Sequence, residues 1–439
     1  MSKETRTSQN FLALPTSEVS VLKELEKTLQ ENGSLNKGKT LTFMSNPNAR
    51  NENNTGFYVE NNTIFALSVR YCALTSLPAS IDQLPNLSVL DVTGNRLTAL
   101  PKSLGNLPHL KKLYADDNQL TALPESLGKL AHLEEIHLDN NQLRSLPKNI
   151  GQLKKLKTLN VYGNKLVSVP AVLSQLPSLK EVSLGKNELT SLPESFWQLT
   201  DLQLLNVAEN RLASISERIG NLTNLSTLDL GHNALTSLPT TLGNLSNLTF
   251  FLYLSNNHLI ALPSSLSNLT SLIYLNVTDN HLTSLPDTIG DLKSLKELRL
   301  YNNELAALPE SLGNLTNLKE LHVMNNQLTS LPEAFGNLTS LKELYLMNNQ
   351  LASLPQSFGN LRNLTRLDLR NNKLATVPAS SGSLLNLTHL DLRGNRLISL
   401  PACIGDLPQL EKLDVRWNKL SSNIAWLHRL ELRGCTIFR

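Results

Sequence analysis

The residue types best suited to chemistry are thinly spread. The nine histidines include His109, His132, His137, His232, His258, His281 and His322, and none joins an H-E-x-x-H, C-x-x-C or G-x-S-x-G constellation. Cys72, Cys403 and Cys435 are far apart and odd in number, unlike the clustered cysteines that staple secreted repeat proteins. Acidic pairs such as Asp116-Asp117 fall on an open strand, where nothing desolvates them enough to make a useful acid or base. No catalytic residue, metal ligand or cofactor site is expected, and the chain does not read as an enzyme. With 40 Lys and Arg against 37 Asp and Glu, the formal net charge of +3 does not suggest nucleic acid. Residues 1–10 lack an apolar signal core and no run of 18 apolar residues exists, so a cytoplasmic protein with no membrane partner is expected.

What the chain carries instead is a period. Asparagines recur at Asn95, Asn118, Asn141, Asn164, Asn187, Asn210 and Asn233, always 23 apart. After one step of 24 they continue at Asn257, Asn280, Asn303, Asn326, Asn349, Asn372, Asn395 and Asn418. Cys72 fills the same slot 23 residues before Asn95, and Cys435 is read as closing a shortened last unit, giving 17 units. One unit holds Leu110, Leu113, Ala115, Asn118, Leu120, Leu123, Pro124, Leu127, Gly128 and Leu130. Its L-x-L segment alternates like a short strand with one buried face, and stacked units bury what a single unit cannot. An amide both donates and accepts, so the asparagines are expected to bridge backbone groups of successive turns as a structural ladder. The L-P step holds the chain extended as it leaves the turn. Glycines such as Gly105, Gly128 and Gly313 are expected to take positive φ at the corner.

The unit L-P-x-x-[IL]-G-x-L-x-x-L-x-x-L-x-L-x-x-N-x-L resembles the intracellular Ras-group leucine-rich repeats, which include the Shoc-type scaffold, Erbin, Scribble and the plant Ras-group proteins. The resemblance covers residues 64–435. It implies an α/β solenoid: a right-handed horseshoe with one parallel concave sheet and short 3-10 or irregular convex segments. It also implies a non-catalytic scaffold in intracellular signalling, with a small GTPase or a phosphatase as protein partner. The alternative is a recognition, defence or effector module that binds a foreign or host protein.

At the front, residues 1–16 are expected as a flexible tail, 17–32 as an amphipathic capping helix started by Ser17 and stopped by Gly33, and 33–55 as a mobile asparagine-rich loop. The repeat domain then spans 56–435, led in by a hairpin over 57–64. Within the loop, Lys39, Leu41 and Phe43 loosely resemble a phosphatase-docking motif. At the far end, Leu430 to Leu432 is expected as an unpaired edge strand, so that the chain is a monomer or a weak dimer through that edge, with 436–439 as a short terminus. The extra residue at Phe250-Phe251 has two readings: a bulge that brings an aromatic to the concave rim, or extra core packing.

Side chains flanking the buried leucines must face away from the core, because strand side chains alternate. Those positions grade from acidic (Asp91, Asp116, Asp117, Glu135, Asp139) to a middle and end rich in Tyr, Met, Arg and Trp, the residue types of interface hot spots. The candidate partner-binding set is Tyr114, His137, Tyr162, Phe251, Tyr253, Tyr274, Tyr301, His322, Met324, Tyr345, Arg370, Arg393, Arg416 and Trp417. The terminal arginines, Arg433 among them, have two readings: a hot spot beside Trp417, or an ion-pair ladder with Asp368, Asp391, Asp414 and Glu431.

Overall fold

The computed structural model describes residues 14–46, 55–421 and 426–439 and divides into two compact units, Met1–Arg211 and Leu212–Arg439. The expected tail up to residue 13 and residues 47–54 of the expected loop lie outside the described residues.

The first unit opens on helix α1 (Thr16–Glu31), whose Val21, Leu22, Leu25 and Leu29 are fully buried. Burying such a side chain is worth about 1.5–3 kcal/mol. Two carboxylates on the same helix pin the chain beneath it: Glu18 accepts from the Ile64 N–H and Glu26 from the Leu41 N–H, each at 2.8 Å. A short strand β1 (Thr42–Phe43) runs parallel to β2 (Gly56–Glu60), which forms an antiparallel hairpin with β3 (Thr63–Ser68). The segment 33–55 is therefore not simply a mobile loop. Leu41 is buried, Phe43 packs on Phe57 at 4.6 Å, and neither is free for the docking role their motif suggested.

From β3 onward the chain repeats. Strands β4 (Val89–Asp91), β5 (Lys112–Tyr114), β6 (Glu135–His137), β7 (Thr158–Asn160), β8 (Glu181–Ser183) and β9 (Leu204–Asn206) pair in parallel, each in direct register with the next. The second unit continues the pattern with β10 (Thr227–Asp229), β11 (Phe251–Tyr253), β12 (Tyr274–Asn276), β13 (Glu297–Arg299), β14 (Glu320–His322) and β15 (Glu343–Tyr345). It ends with β16 (Arg366–Asp368), β17 (His389–Asp391), β18 (Lys412–Asp414) and β19 (Thr436–Phe438). Between strands lies a 3-10 turn such as Lys102–Asn106, entered from Pro101 at φ −66° and ψ 144°, as the L-P step requires. Each unit is a parallel α/β solenoid with its leucines inside.

The asparagines are the mortar. Asn326 donates to the Leu300, Val323 and Met324 carbonyls at 3.0–3.2 Å, and its Oδ1 accepts from the Leu305 N–H at 3.0 Å. Cys72, in the same slot, manages one weak bond from Sγ to the Arg70 carbonyl and meets Thr55 Oγ1 at 3.3 Å.

Three local expectations are corrected. First, Gly105, Gly128, Gly313 and their equivalents do not take positive φ. A Cβ at Gly105 would instead collide with the Ser126 carbonyl of the next turn, and one at Gly313 with that of Ala334, so glycine is required by close stacking. Positive φ belongs to the residue before each ladder asparagine, among them Asp117 (54°), Lys186 (51°), His232 (53°), Asn325 (56°) and Trp417 (60°). Second, the extra residue at Phe250 is absorbed before β11, whose pairing with β10 and β12 runs without a bulge. Third, Leu430 to Leu432 is no edge strand but part of helix α2 (Leu427–Leu432). Leu427 and Leu430, three residues apart, bury one helical face, and the chain returns so that β19 pairs with β18. Cys435 consequently precedes the last strand and does not occupy an asparagine slot. Arg433 also leaves the face: it donates to the Gly405 and Leu407 carbonyls at 2.6 and 3.1 Å.

Candidate partner-binding face

Strand positions on either side of each central leucine point away from the core. In the first unit the candidates among them are already engaged. Tyr114 is buried among Met44, Ala66 and Val89, donates to Glu135 at 2.9 Å and lies 4.8 Å from the His137 ring. Tyr114 is thus withdrawn from the candidate set, because the segment carrying Met44 closes over it. His137 meets Asn160 and Glu135, and Tyr162 donates to Glu209 at 2.6 Å. Of the acidic residues, Asp91 is buried 3.5 Å from Arg70, while Asp116 and Asp139 accept backbone N–H groups of the following turn. They serve the stack rather than an open acidic surface.

In the second unit the candidates converge. Phe251, Tyr253 and Tyr274 form a cluster with centroids 5.2–5.7 Å apart. Phe250 and Phe251 remain 52% and 40% exposed, while Tyr274 is the buried floor of the group. The Arg299 guanidinium lies 5.5 Å over Tyr274 and pairs with Glu297 at 2.6 Å. Burial pushes the Tyr274 hydroxyl up to about 12, so it stays a neutral donor. His322 stacks on Tyr345 at 4.7 Å. Burial first, and the Arg299 charge second, hold the His322 imidazole below its ordinary range, while burial and its bond to Glu343 push Tyr345 up to about 12. Tyr301 and Met324 are half-buried beside them.

Glu297, Glu320 and His322 bring ligand-type atoms within 4.8 Å of one another. Arg299 already holds Glu297, so the group works as an ion-paired network with a competing cation in place.

Toward β18 the arginines settle into the ladder reading. Arg370, Arg393 and Arg416 each grip the aspartate two residues earlier at 2.6–2.7 Å. Arg370 and Arg393 also reach the aspartate of the next strand, at 3.6 and 3.2 Å. Trp417 stands apart at 71% exposure, with Arg416 5.5 Å from its ring. Sequence reasoning overlooked Arg299, whose strand position carries no repeating residue type.

Models of the leucine-rich repeat match residues 65–142 and 264–352 (leucine-rich repeat region), 154–212 and 362–420 (leucine rich repeat), with shorter matches between. A leucine-rich-repeat protein of Leptospira interrogans is 34% identical over 85% of this chain and 95% of that one, with a TM-score of 0.73. YopM of Yersinia enterocolitica is 28% identical over 81% of this chain and 78% of its own (TM-score 0.57). Toll, in a Drosophila complex with Spatzle, is 27% identical over 79% of this chain and 49% of its own (TM-score 0.67). No curated protein matches the sequence. The chain belongs to the leucine-rich-repeat family. That fold is a protein-interaction module, and no catalytic family is indicated. No helix among the described residues is long and apolar enough to cross a membrane.

Proposed function

We propose that the chain is a non-catalytic scaffold that holds a folded protein on the open sheet face of its second unit. The observation that carries this is the Phe250, Phe251, Tyr253 and Arg299 cluster: large aromatic and cationic side chains left accessible at positions the fold does not require filled that way. The Ras-group grammar of the repeat supports a cytoplasmic signalling role with a small GTPase or a phosphatase as partner. The likeness to Toll, solved in complex with Spatzle as a hub of development and innate immunity, supports a second reading, a recognition or defence module that binds a foreign or host protein.

The test is capture from lysate by the wild type and by a Phe251→Ala, Tyr253→Ala, Arg299→Ala variant, with captured proteins quantified by mass spectrometry. Loss of two or more hot-spot side chains should cut capture of the true partner by more than about tenfold. Equal capture by both proteins would remove this cluster as the site.

A further inference from the structure

The column of side chains that opens each strand in the second unit changes sign once, at a single boundary. Glu297, Glu320 and Glu343 lie directly opposite one another on β13, β14 and β15, and Arg366, His389 and Lys412 follow on β16, β17 and β18. Neighbouring strands are about 4.8 Å apart, so the first row sets three carboxylates side by side and the second holds the cations Arg366 and Lys412 on either side of His389, and like charges placed directly opposite cost stability within the sheet. Part of that cost is offset by the adjoining column and the last strand: Glu297 pairs with Arg299, Glu320 meets His322, Glu343 accepts from the Tyr345 hydroxyl, and Lys412 lies 5.4 Å from the Phe438 ring. Arg366 and Lys412 have no ion pair among the described residues and are exposed, and they border a shallow hollow that also meets Asp368 and Asp391.

The order of signs has a property that a random mixture lacks. Turned end for end about an axis between Glu343 and Arg366, the column becomes its own complement. Each carboxylate lands on a basic group, and each basic group on a carboxylate. The neighbouring column follows the same inversion, with Arg299, His322 and Tyr345 on one side of the boundary and Asp368, Asp391 and Asp414 on the other, although its aspartates are already engaged by Arg370, Arg393 and Arg416.

A surface complementary to itself under a two-fold rotation is what an isologous interface requires. We propose that this strip is the interface of a two-fold dimer of the chain, in which Glu343, Glu320 and Glu297 of one copy face Arg366, His389 and Lys412 of the other. The occupant is a second copy because both rows are then matched in both directions by one operation, six contacts in all. Glutamate, arginine and lysine are long enough to bridge a gap between faces, and electrostatic complementarity of this kind fixes register more than it adds affinity. The dimer is therefore salt-sensitive.

Sedimentation velocity of the full chain over a concentration series, at low and high salt, reads the self-association directly. A dimer that dissociates as salt rises is expected, and a monomer at every concentration in low salt would overturn the proposal. Two variants sharpen it: one carrying Glu297→Lys, Glu320→Lys and Glu343→Lys, the other Arg366→Glu, His389→Glu and Lys412→Glu. Alone, each should self-associate at least about tenfold more weakly than wild type, because its face has a single sign. Mixed, they should form a one-to-one heterodimer. Wild-type self-association in both variants, or no heterodimer on mixing, overturns the assignment. Should a triple variant fail to fold by circular dichroism, the single changes Glu343→Lys and Arg366→Glu beside the axis are read in the same way. Self-association is measured without any foreign protein, so this outcome is separate from that of the capture experiment.

Discussion

Two columns of asparagine run side by side through the second unit, one residue apart in sequence and opposite in consequence. The inner column, Asn280, Asn303, Asn326, Asn349 and Asn372, is buried and spends its amides on backbone carbonyls and N–H groups of adjoining turns. The outer column, Asn302, Asn325, Asn348 and Asn371, is exposed, sits at positive φ and links its side chains along the column: each Nδ2 donates to the side chain one turn earlier at 2.5–2.7 Å, beginning at Asp279. The same amide is indispensable in one place and replaceable in the other. What differs is whether water can take over when the side chain is removed.

The comparison is most exposed to a change in the inner column. Asn326→Ala strands the Leu305 N–H away from solvent and leaves the Leu300 carbonyl only the Asn303 amide of the turn before, and a loss of about 2 kcal/mol is expected in urea unfolding. A loss below about 1 kcal/mol would mean that water enters the stack and that the ladder is not what holds it. One residue earlier, the backbone rather than the amide decides. Asn325→Val places a β-branched residue at φ 56° and should cost about 1–2 kcal/mol, whereas Asn325→Gly should be close to neutral. Equal effects of the two would show that the outer amide contacts matter after all.

The smallest effect concerns His322, which is largely covered yet still near carboxylates. Its folded-state pKa lies below the unfolded value of about 6.5, so on acidification the unfolded chain takes up the proton first. Stability should fall as pH drops through about 6.5 toward the folded value, and be unaffected by this group above it. The groups facing it are Arg299, Glu297 and Glu320, and the Glu320–His322 contact at 3.5 Å works against the shift. His322→Gln should flatten that part of the pH profile, and an unchanged slope would assign it to other groups.

Much of this was legible in the residues themselves. The inner ladder, the leucine core and the L-P turns repeat a residue type at a fixed interval, so period alone located them. The outer column escaped notice because its residue type changes along the chain, from Asp117, Lys186 and His232 through the asparagines to Trp417, and what all of them share is a backbone conformation. The corner glycines repeat too, but their reason lies in the neighbouring turn, as the Ser126 carbonyl at Gly105 shows, and one unit read alone suggests φ instead. Arg433 was placed on the face by extending the period past where it holds, since helix α2 intervenes, whereas Tyr114 keeps its place in the register but is covered by the segment bearing Met44. The candidate aromatics were visible by type, yet which of them remain accessible depended on packing that no spacing encodes.

The residue added at Phe250 carries a last implication. Asn257 still donates to the Leu230 carbonyl and accepts from the Leu235 N–H, each one residue further along the chain than elsewhere, with bond lengths of 3.0 Å. The scaffold therefore has a seam, just ahead of the strand, where length can vary without disturbing what lies on either side. New side chains can be introduced there by insertion rather than by substitution, which gives such an array a way to diversify what it recognises while its interior stays the same.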